Sequence, residues 1–398
     1  MTAGAQAPFL DVSNPAFSVR SEEVRAARAR SWYARTPYGI AVLRYDQVSR
    51  LVKDRRLAQG SAAWPDHHGV TGPWADWWRR CILNREGEDH ARLRRLMNPA
   101  FSSRLIAAMV PSFQQLAAEL IDGFARQGRC EFISAFADPY ATRVTARLLG
   151  LPEAEWRTLA DHGGALGLGL SVEVREHLPR VEAALDYLYG AVDTLIEERR
   201  ARPRDDFVTH LVEASEERDR LSTEELRDNL VILIFGGIDT TRNQLGLGID
   251  LFARHPEQWR LLGERPELAS AAVEEIMRLR PTTTWVTREA TEDFQFDGLQ
   301  IAAGTTIHLF SESAGTDPES CGDGFDIAAG DRPRHFGFGG GRHHCLGHFI
   351  ARGDMGEALA LLARRLPGLA HEGQPVFLPD SGNTGPVSLP IRFEPEPA

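Results

Sequence analysis

"HFGFGGGRHHCLGHF", residues 335–349, sets one thiol, Cys345, between a glycine run and a helix start, among His335, His343, His344 and His348. The continuation LGHFIARGDMGEALALLARRL reads as an amphipathic helix with Met355, Leu359 and Leu362 on one side. A cysteine at a helix N-terminus feels the positive end of the dipole and free backbone N–H groups, which favour thiolate. Glycines at 337, 339, 340 and 341 let the backbone approach a flat object closely.

That combination suits a thiolate axial ligand to haem iron. Two other readings of the residues compete. One is a buried, inert cysteine. The other is a zinc site shared with the neighbouring histidines, although the spacing fits neither a two-pair structural site nor HExxH.

The 398 residues, 42% hydrophobic and 25% charged, suffice for a large core. No linker or low-complexity run divides them, so one domain over 1–398 is expected. A net charge of −11 argues against nucleic acid as a partner. MTAGAQAPFLDVSNPAF has neither the charged start nor the apolar core of a signal peptide. No apolar run approaches the roughly 18 to 20 residues of a membrane span. A cytoplasmic protein without membrane contact is therefore expected. Cys81, Cys130, Cys321 and Cys345 form no CxxC pair or disulfide framework.

Helical periodicity dominates residues 85 to 280, while strand-like pieces lie near the ends, at 39–45, 294–301 and 305–310. The longest helix is expected from Ser222, in capping-box spacing with Glu225, to about Arg254, where His255-Pro256 stops it. Its middle, LVILIFGGIDTTRNQLG, places Gly236, Gly237, Asp239, Thr240 and Thr241 in an apolar run. Each glycine costs about 1 kcal/mol relative to alanine, and a buried aspartate needs a partner or a changed pKa. Close helix packing, with hydroxyls bonded back to carbonyls, would explain glycine and threonine but leaves the acid over. In AAVEEIMRLRP, Glu275 and Arg278 share a helix face and read as a solvated pair unless buried. In EDHARLRRLMNPAF, His90 and Arg94 share another face, while Arg92 and Arg95 point elsewhere; an exposed basic face is the plain reading.

Together these stretches resemble a family. FGGGRHHCLG, with Phe338, Gly341, His343, Cys345 and Gly347, resembles the haem-binding loop of the cytochrome P-450 haem-thiolate monooxygenases, and EIMR, GGIDTT and HARLR occur in that family's order and spacing. Weaker likeness in RYDQVSRLVKD, LLGLP and HPEQ extends it along nearly the whole chain, in the style of the soluble bacterial members. The resemblance implies a mainly α fold: a large helical body, a small β-sheet region, and haem b (iron protoporphyrin IX) between the long central helix and the cysteine-loop helix. Cys345 would be the iron ligand, pushing electron density towards O–O cleavage. His90, Arg94, Arg288 and His343 would bind the haem propionates. Glu275 and Arg278 would lock the cysteine loop. Gly236 and Gly237 would leave room for O2 and substrate. Asp239 and Thr240 would relay protons, with Thr240 opening the helix ladder to a water.

Three places depart from the family pattern. Thr316-Asp317 stands where Arg-Asp is usual. Ala329 stands where an arginine usually completes the lock, and Arg332 is the residue near enough in sequence to replace it. NREGEDH precedes His90 where two prolines are common.

No flavin or nicotinamide segment is fused to the chain, so the resemblance implies electrons from a ferredoxin and its NAD(P)H-dependent reductase. These would dock near Arg92, Arg95, Arg342 and Arg352. A monomer is expected. The pocket walls would come from 60–84, with Trp64, Trp74, Trp77 and Trp78, from GALGLGL, from Phe235 and Ile238, and from TTTWV with Trp285. This lining suits a small hydrophobic or aromatic substrate, of the kind modified in natural-product biosynthesis. Several of the tryptophans read equally well as core. Other haem-thiolate chemistry (aryl coupling, nitration, peroxide-driven oxidation) is the runner-up. A non-catalytic haem sensor or carrier is the rival from a different class, against which Asp239-Thr240 discriminates.

Overall fold

The computed structural model describes residues 7–101, 103–216, 221–380 and 383–397; the first six residues of the N-terminal stretch read above lie outside the described residues. The architecture is organised by the helix Thr223–Arg254, 32 residues long. Its start is fixed by the capping box: Glu225 N–H donates to Ser222 Oγ at 3.1 Å, and Ser222 N–H to Glu225 Oε2 at 2.9 Å. It ends at His255, and Pro256 opens the helix Pro256–Glu264. Because it is buried nearly all round, its stability comes from tertiary packing more than from propensity.

The helices Asp138–Leu149, Trp156–Gly167 and Val174–Ala201 pack against it. Two of them come close only because glycine leaves the space. A β-carbon at Gly237 would lie 2.5 Å from Thr145 Oγ1, and one at Gly163 would lie 3.2 Å from Ile238 Cγ2. Helices Ala269–Leu279 and Ser103–Asp122 both pack against His348–Arg365.

The largest sheet has five strands in the order Tyr33–Thr36, Gly39–Val42, Thr306–Phe310, Trp285–Ala290 and Leu57–Gln59. Gly39–Val42 and Thr306–Phe310 run parallel, in register Gly39↔Thr306. Trp285–Ala290 and Thr306–Phe310 run antiparallel, in register Trp285↔Phe310. The stretch 294–301, expected as one strand, is a hairpin of Phe294–Phe296 and Leu299–Ile301. Asp297 and Gly298 have φ of 43° and 83°, the positive values a tight two-residue hairpin turn demands and Asp-Gly supplies. The expected mainly helical body with a small sheet region is therefore what the chain adopts. No helix among the described residues is long and apolar enough to cross a membrane.

Candidate active site

The cysteine loop is anchored before its helix begins. Cys345 N–H donates to Phe338 O at 3.0 Å, a short turn spans Gly341–His343, and the helix His348–Arg365 follows Gly347. Two of the loop's glycines are required by protein packing. A β-carbon at Gly340 would lie 2.9 Å from Val52 Cγ2, and one at Gly341, where φ is 69°, would lie 2.6 Å from Val52 O. The Phe338 ring is covered by Arg352, whose Cζ stands 4.5 Å from the ring centre.

Burial raises the Cys345 thiol pKa, against a hydrogen bond from Gly347 N–H and the charges of Arg94 and Arg352. The helix-terminus effect expected from sequence is thus outweighed by desolvation in the polypeptide alone. A metal ion on the sulfur would displace the proton outright. Among the described residues no three His, Cys, Asp or Glu side chains stand together as a metal-binding group, so Cys345 lacks co-ligands for zinc.

A cavity of about 390 Å³ opens between this loop and the central helix, reached by Cys345, Phe338, Gly236 and Thr240. His90 and Arg94, from the helix Gly87–Met97, line it together with Arg288 and His343. The basic groups here are short of acid partners. Arg94 donates to His344 O at 3.0 Å and Arg288 to Gly340 O at 3.1 Å, yet neither is ion-paired among the described residues. Burial pulls the Arg288 guanidinium down to about 10 and also lowers Arg94. His90 is pulled down to about 4 by burial and by the neighbouring charges of His343 and Arg94. Cations such as the buried Arg288 and the half-buried Arg94, which meet only carbonyls, are matched by an incoming anion. A ring carrying carboxylates and an iron for the sulfur fits this donor set.

His343 is arranged differently from the expectation. Its Nε2 stands 2.9 Å from Glu86 Oε1, and its ring lies 4.1 Å from the His90 ring. Burial acts to raise Glu86, but the hydrogen bonds from His343 and Gln59 N–H win and hold it down to about 2. Glu86 belongs to the NREGEDH departure, and sequence reasoning missed it.

Of the expected pocket residues, Trp78, Phe235 and Trp285 line the cavity, while Trp74 and Ile238 do not. Trp74 is 1% exposed and packs on Gly169, and Ile238 packs on Gly163. Trp64 and Trp78 reach the cavity and Trp77 is core. Both glycines of the central helix line the cavity but differ in packing: a β-carbon at Gly236 would meet nothing within 4 Å, whereas Gly237 abuts Thr145.

Thr240 Oγ1 donates to Gly236 O, and the helix is continuous past it, so the expected opening of the ladder is absent. Asp239 is 3% exposed and turned away from the cavity. Burial raises its carboxyl, against Arg242 and the amides of Asn383 and Asn243.

Glu275 and Arg278 are buried and joined twice at 2.7 Å, and Arg278 also donates to Gly322 O and Gly324 O at 2.8 Å each. Arg332 reaches the same carboxylate, Nη2 to Glu275 Oε1 3.4 Å, and donates to Cys321 O at 2.6 Å. At the other departure, Asp317 accepts from Tyr45 N–H at 2.9 Å, and Thr316 Oγ1 accepts from Arg28 at 2.9 Å. A guanidinium from the helix Glu22–Arg30 thus stands beside Thr316, where the sequence resemblance led to the expectation of an arginine.

The family model for cytochrome P450 matches residues 170–375. Luteothin monooxygenase of Streptomyces thioluteus is 36% identical over 394 residues, 98% of this chain and 97% of that protein. Mycinamicin IV hydroxylase/epoxidase of Micromonospora griseorubida is 32% identical over 96% of this chain and 97% of that protein. Among solved structures, the Bacillus subtilis cytochrome P450 PksS superposes with a TM-score of 0.85 at 27% identity, over 96% of this chain and 99% of that one. With the helical fold and the clamped cysteine loop already established, these likenesses place the chain in the cytochrome P450 family of monooxygenases.

Proposed function

We propose that Cys345, as thiolate, would hold the iron of haem b in this cavity, and that the enzyme oxidises a small hydrophobic or aromatic molecule of secondary metabolism. The observation that supports it most is one cavity shared by a backbone-clamped cysteine and the basic side chains of His90, Arg94 and Arg288, the two arginines without an ion pair among the described residues. Haem bound there supplies reductive activation of O2, one atom entering the substrate and the other leaving as water, with two electrons and two protons consumed.

The chain's own residues do the rest. His90, Arg94 and Arg288 take the propionates by charge-assisted hydrogen bonds. His343, held by Glu86, steadies the rim beside His90. Phe338, under Arg352, shields the sulfur side. Gly236 keeps the space beside the central helix open, and Asp239 with Thr240 holds and passes protons. The relatives named for luteothin and mycinamicin IV support a natural product as substrate. Electrons come from a ferredoxin and its NAD(P)H-dependent reductase to a monomer, a single haem domain working in the cytoplasm.

The test is the absorption spectrum of the dithionite-reduced, haem-supplied protein under carbon monoxide, before and after Cys345→Ser. A far red-shifted Soret band that vanishes in the variant is expected. A band unchanged by Cys345→Ser, or no haem band at all, would remove the reading.

A further inference from the structure

The Asp239 carboxyl is gripped by two amides. Asn243 Nδ2 donates to Oδ1 at 3.2 Å from one turn along the same helix. Asn383 Nδ2 donates to Oδ2 at 3.0 Å, from a segment 144 residues away that precedes the strand Pro386–Ser388. The two amides differ in what else they face. Asn383 lines the cavity, whereas Asn243 and Asp239 do not.

The orientation of the Asn383 amide is set by a second bond. Thr283 Oγ1 donates to Asn383 Oδ1 at 3.1 Å, which turns the NH2 towards the acid. The backbone there is pinned as well: Thr283 and Asn383 bridge, Thr384 N–H donates to Thr282 O at 2.8 Å, and Thr282 Oγ1 donates to Thr384 O at 2.8 Å. On its far side the carboxyl meets Gly167, where a β-carbon would lie 2.9 Å from Oδ1. The charged groups in reach are Arg242, on the same helix, and Asp138, paired with Arg242 at 3.5 Å.

We infer that Asn383 is a positioning residue that links the cavity to the proton donor: one face of its amide forms cavity wall while the other holds Asp239, so an occupant of the cavity alters how tightly Asp239 keeps its proton. The inference rests on the reading of this cavity as the substrate site and of Asp239 as a proton donor. An N–H donated to a carboxylate favours the ionised form. A cavity occupant with a hydrogen-bond acceptor draws the amide towards itself, weakens that donation and leaves the acid protonated when the cavity is filled.

The experiment follows the infrared C=O stretch of protonated Asp239, identified by its loss in Asp239→Asn. Haem-loaded protein is titrated across pH with and without acetophenone as cavity probe, an aromatic whose carbonyl oxygen is a free acceptor. In the wild type the probe should raise the Asp239 midpoint by roughly one pH unit, the size of one lost hydrogen bond to a charge. In Asn383→Leu the midpoint should already be raised and no longer respond. In Asn243→Ala it should be raised but still respond, which a merely structural role for Asn383 would not produce. Thr283→Val, which leaves the acid's own bonds in place, should shrink the response. A wild-type midpoint indifferent to the probe, or a full response in Asn383→Leu, would overturn the link. Failure of the donor reading shows elsewhere: Asp239→Asn would then leave the division of oxygen between product and peroxide unchanged.

Discussion

Arg332 Nη2 lies 3.4 Å from Glu275 Oε1, on the carboxylate already held at 2.7 Å by both Nε and Nη2 of Arg278. The arginine absent at Ala329 is thus replaced by one three residues on, but from a more exposed position. The Arg332 side chain is 29% exposed, against 1% for Arg278. Removing Arg278 would leave a buried carboxylate with only the wetter Arg332 as ion-pair partner, a loss of about 3 to 5 kcal/mol. Arg332→Ala removes one wet contact and two carbonyl bonds, to Cys321 O and Gly324 O, about 1 to 2 kcal/mol. Urea midpoints of the two variants should therefore differ widely, with haem retention falling in the same order. Equal losses would show that Arg332 is as much a part of the lock as Arg278.

Gly236→Ala and Gly237→Ala, one position apart, should behave oppositely. The first adds a methyl where nothing lies within 4 Å and gains helix propensity, so stability should rise by up to about 1 kcal/mol while the cavity narrows. The second drives a β-carbon into Thr145, a stiff β-branched side chain 3% exposed, at a loss of about 1 to 3 kcal/mol. Thr145→Ala should restore the Gly237→Ala protein. Thermal unfolding of the three variants beside wild type decides it, and a Gly237→Ala protein as stable as wild type would refute the packing role.

This split shows what the sequence could and could not disclose. The helix ends were legible because a capping box and His255-Pro256 are local signals. The cysteine loop was legible because thiol, glycines and helix start lie within fifteen residues. Which face of the central helix meets the cavity was obscured, since a helix apolar all round has no polar stripe to orient it. Even so, Gly236, Thr240 and Gln244 are spaced by four and all line the cavity, whereas Ile238 and Asp239 fall off that row. Trp74 was misassigned for the same reason: an aromatic on a buried helix packs either way. Asn383 and Glu86 join the site through contacts 144 and 257 residues apart, and no local pattern announces such pairings. The hairpin at Asp297-Gly298 was the one miss with a clear local signal.

Acid should loosen the cysteine loop through Glu274. This carboxylate takes bonds from His335 and Arg352, with Nη2 of Arg352 at 3.2 Å, and so ties the loop and its helix to Ala269–Leu279. Burial alone would raise it, but those two partners hold it down to about 2, against an ordinary value of 4.5. A depressed acid contributes stability that is present above its unfolded pKa and lost as pH falls towards its folded one. The wild type should therefore lose stability between about pH 4.5 and 2 more steeply than Glu274→Gln, which should be weaker at neutral pH but flatter below. Urea midpoints measured across that window check it, and parallel profiles would exclude Glu274 as a contributor.

The expected electron-donor face is already partly neutralised. Arg92 is bound by Glu225 and Arg352 by Glu274, while Arg342 donates to Leu57 O at 3.0 Å. Arg95 is the loosest of the four: its side chain is 64% exposed, and its salt-bridge partner, Glu88, is 81% exposed. Such a pair contributes at most about 1 kcal/mol, so Arg95 can trade Glu88 for an acidic protein at little cost. Charge reversal there acts on encounter more than on fold. Arg95→Glu should slow reduction by ferredoxin severalfold at low ionic strength, with the carbon monoxide spectrum intact. The deficit should shrink as salt screens both proteins. Arg92→Glu should instead lower stability, because it places a second acid against Glu225 at the start of the central helix. Stopped-flow reduction across a salt series separates the two, and rates untouched by Arg95→Glu at every ionic strength would move the docking site off this face.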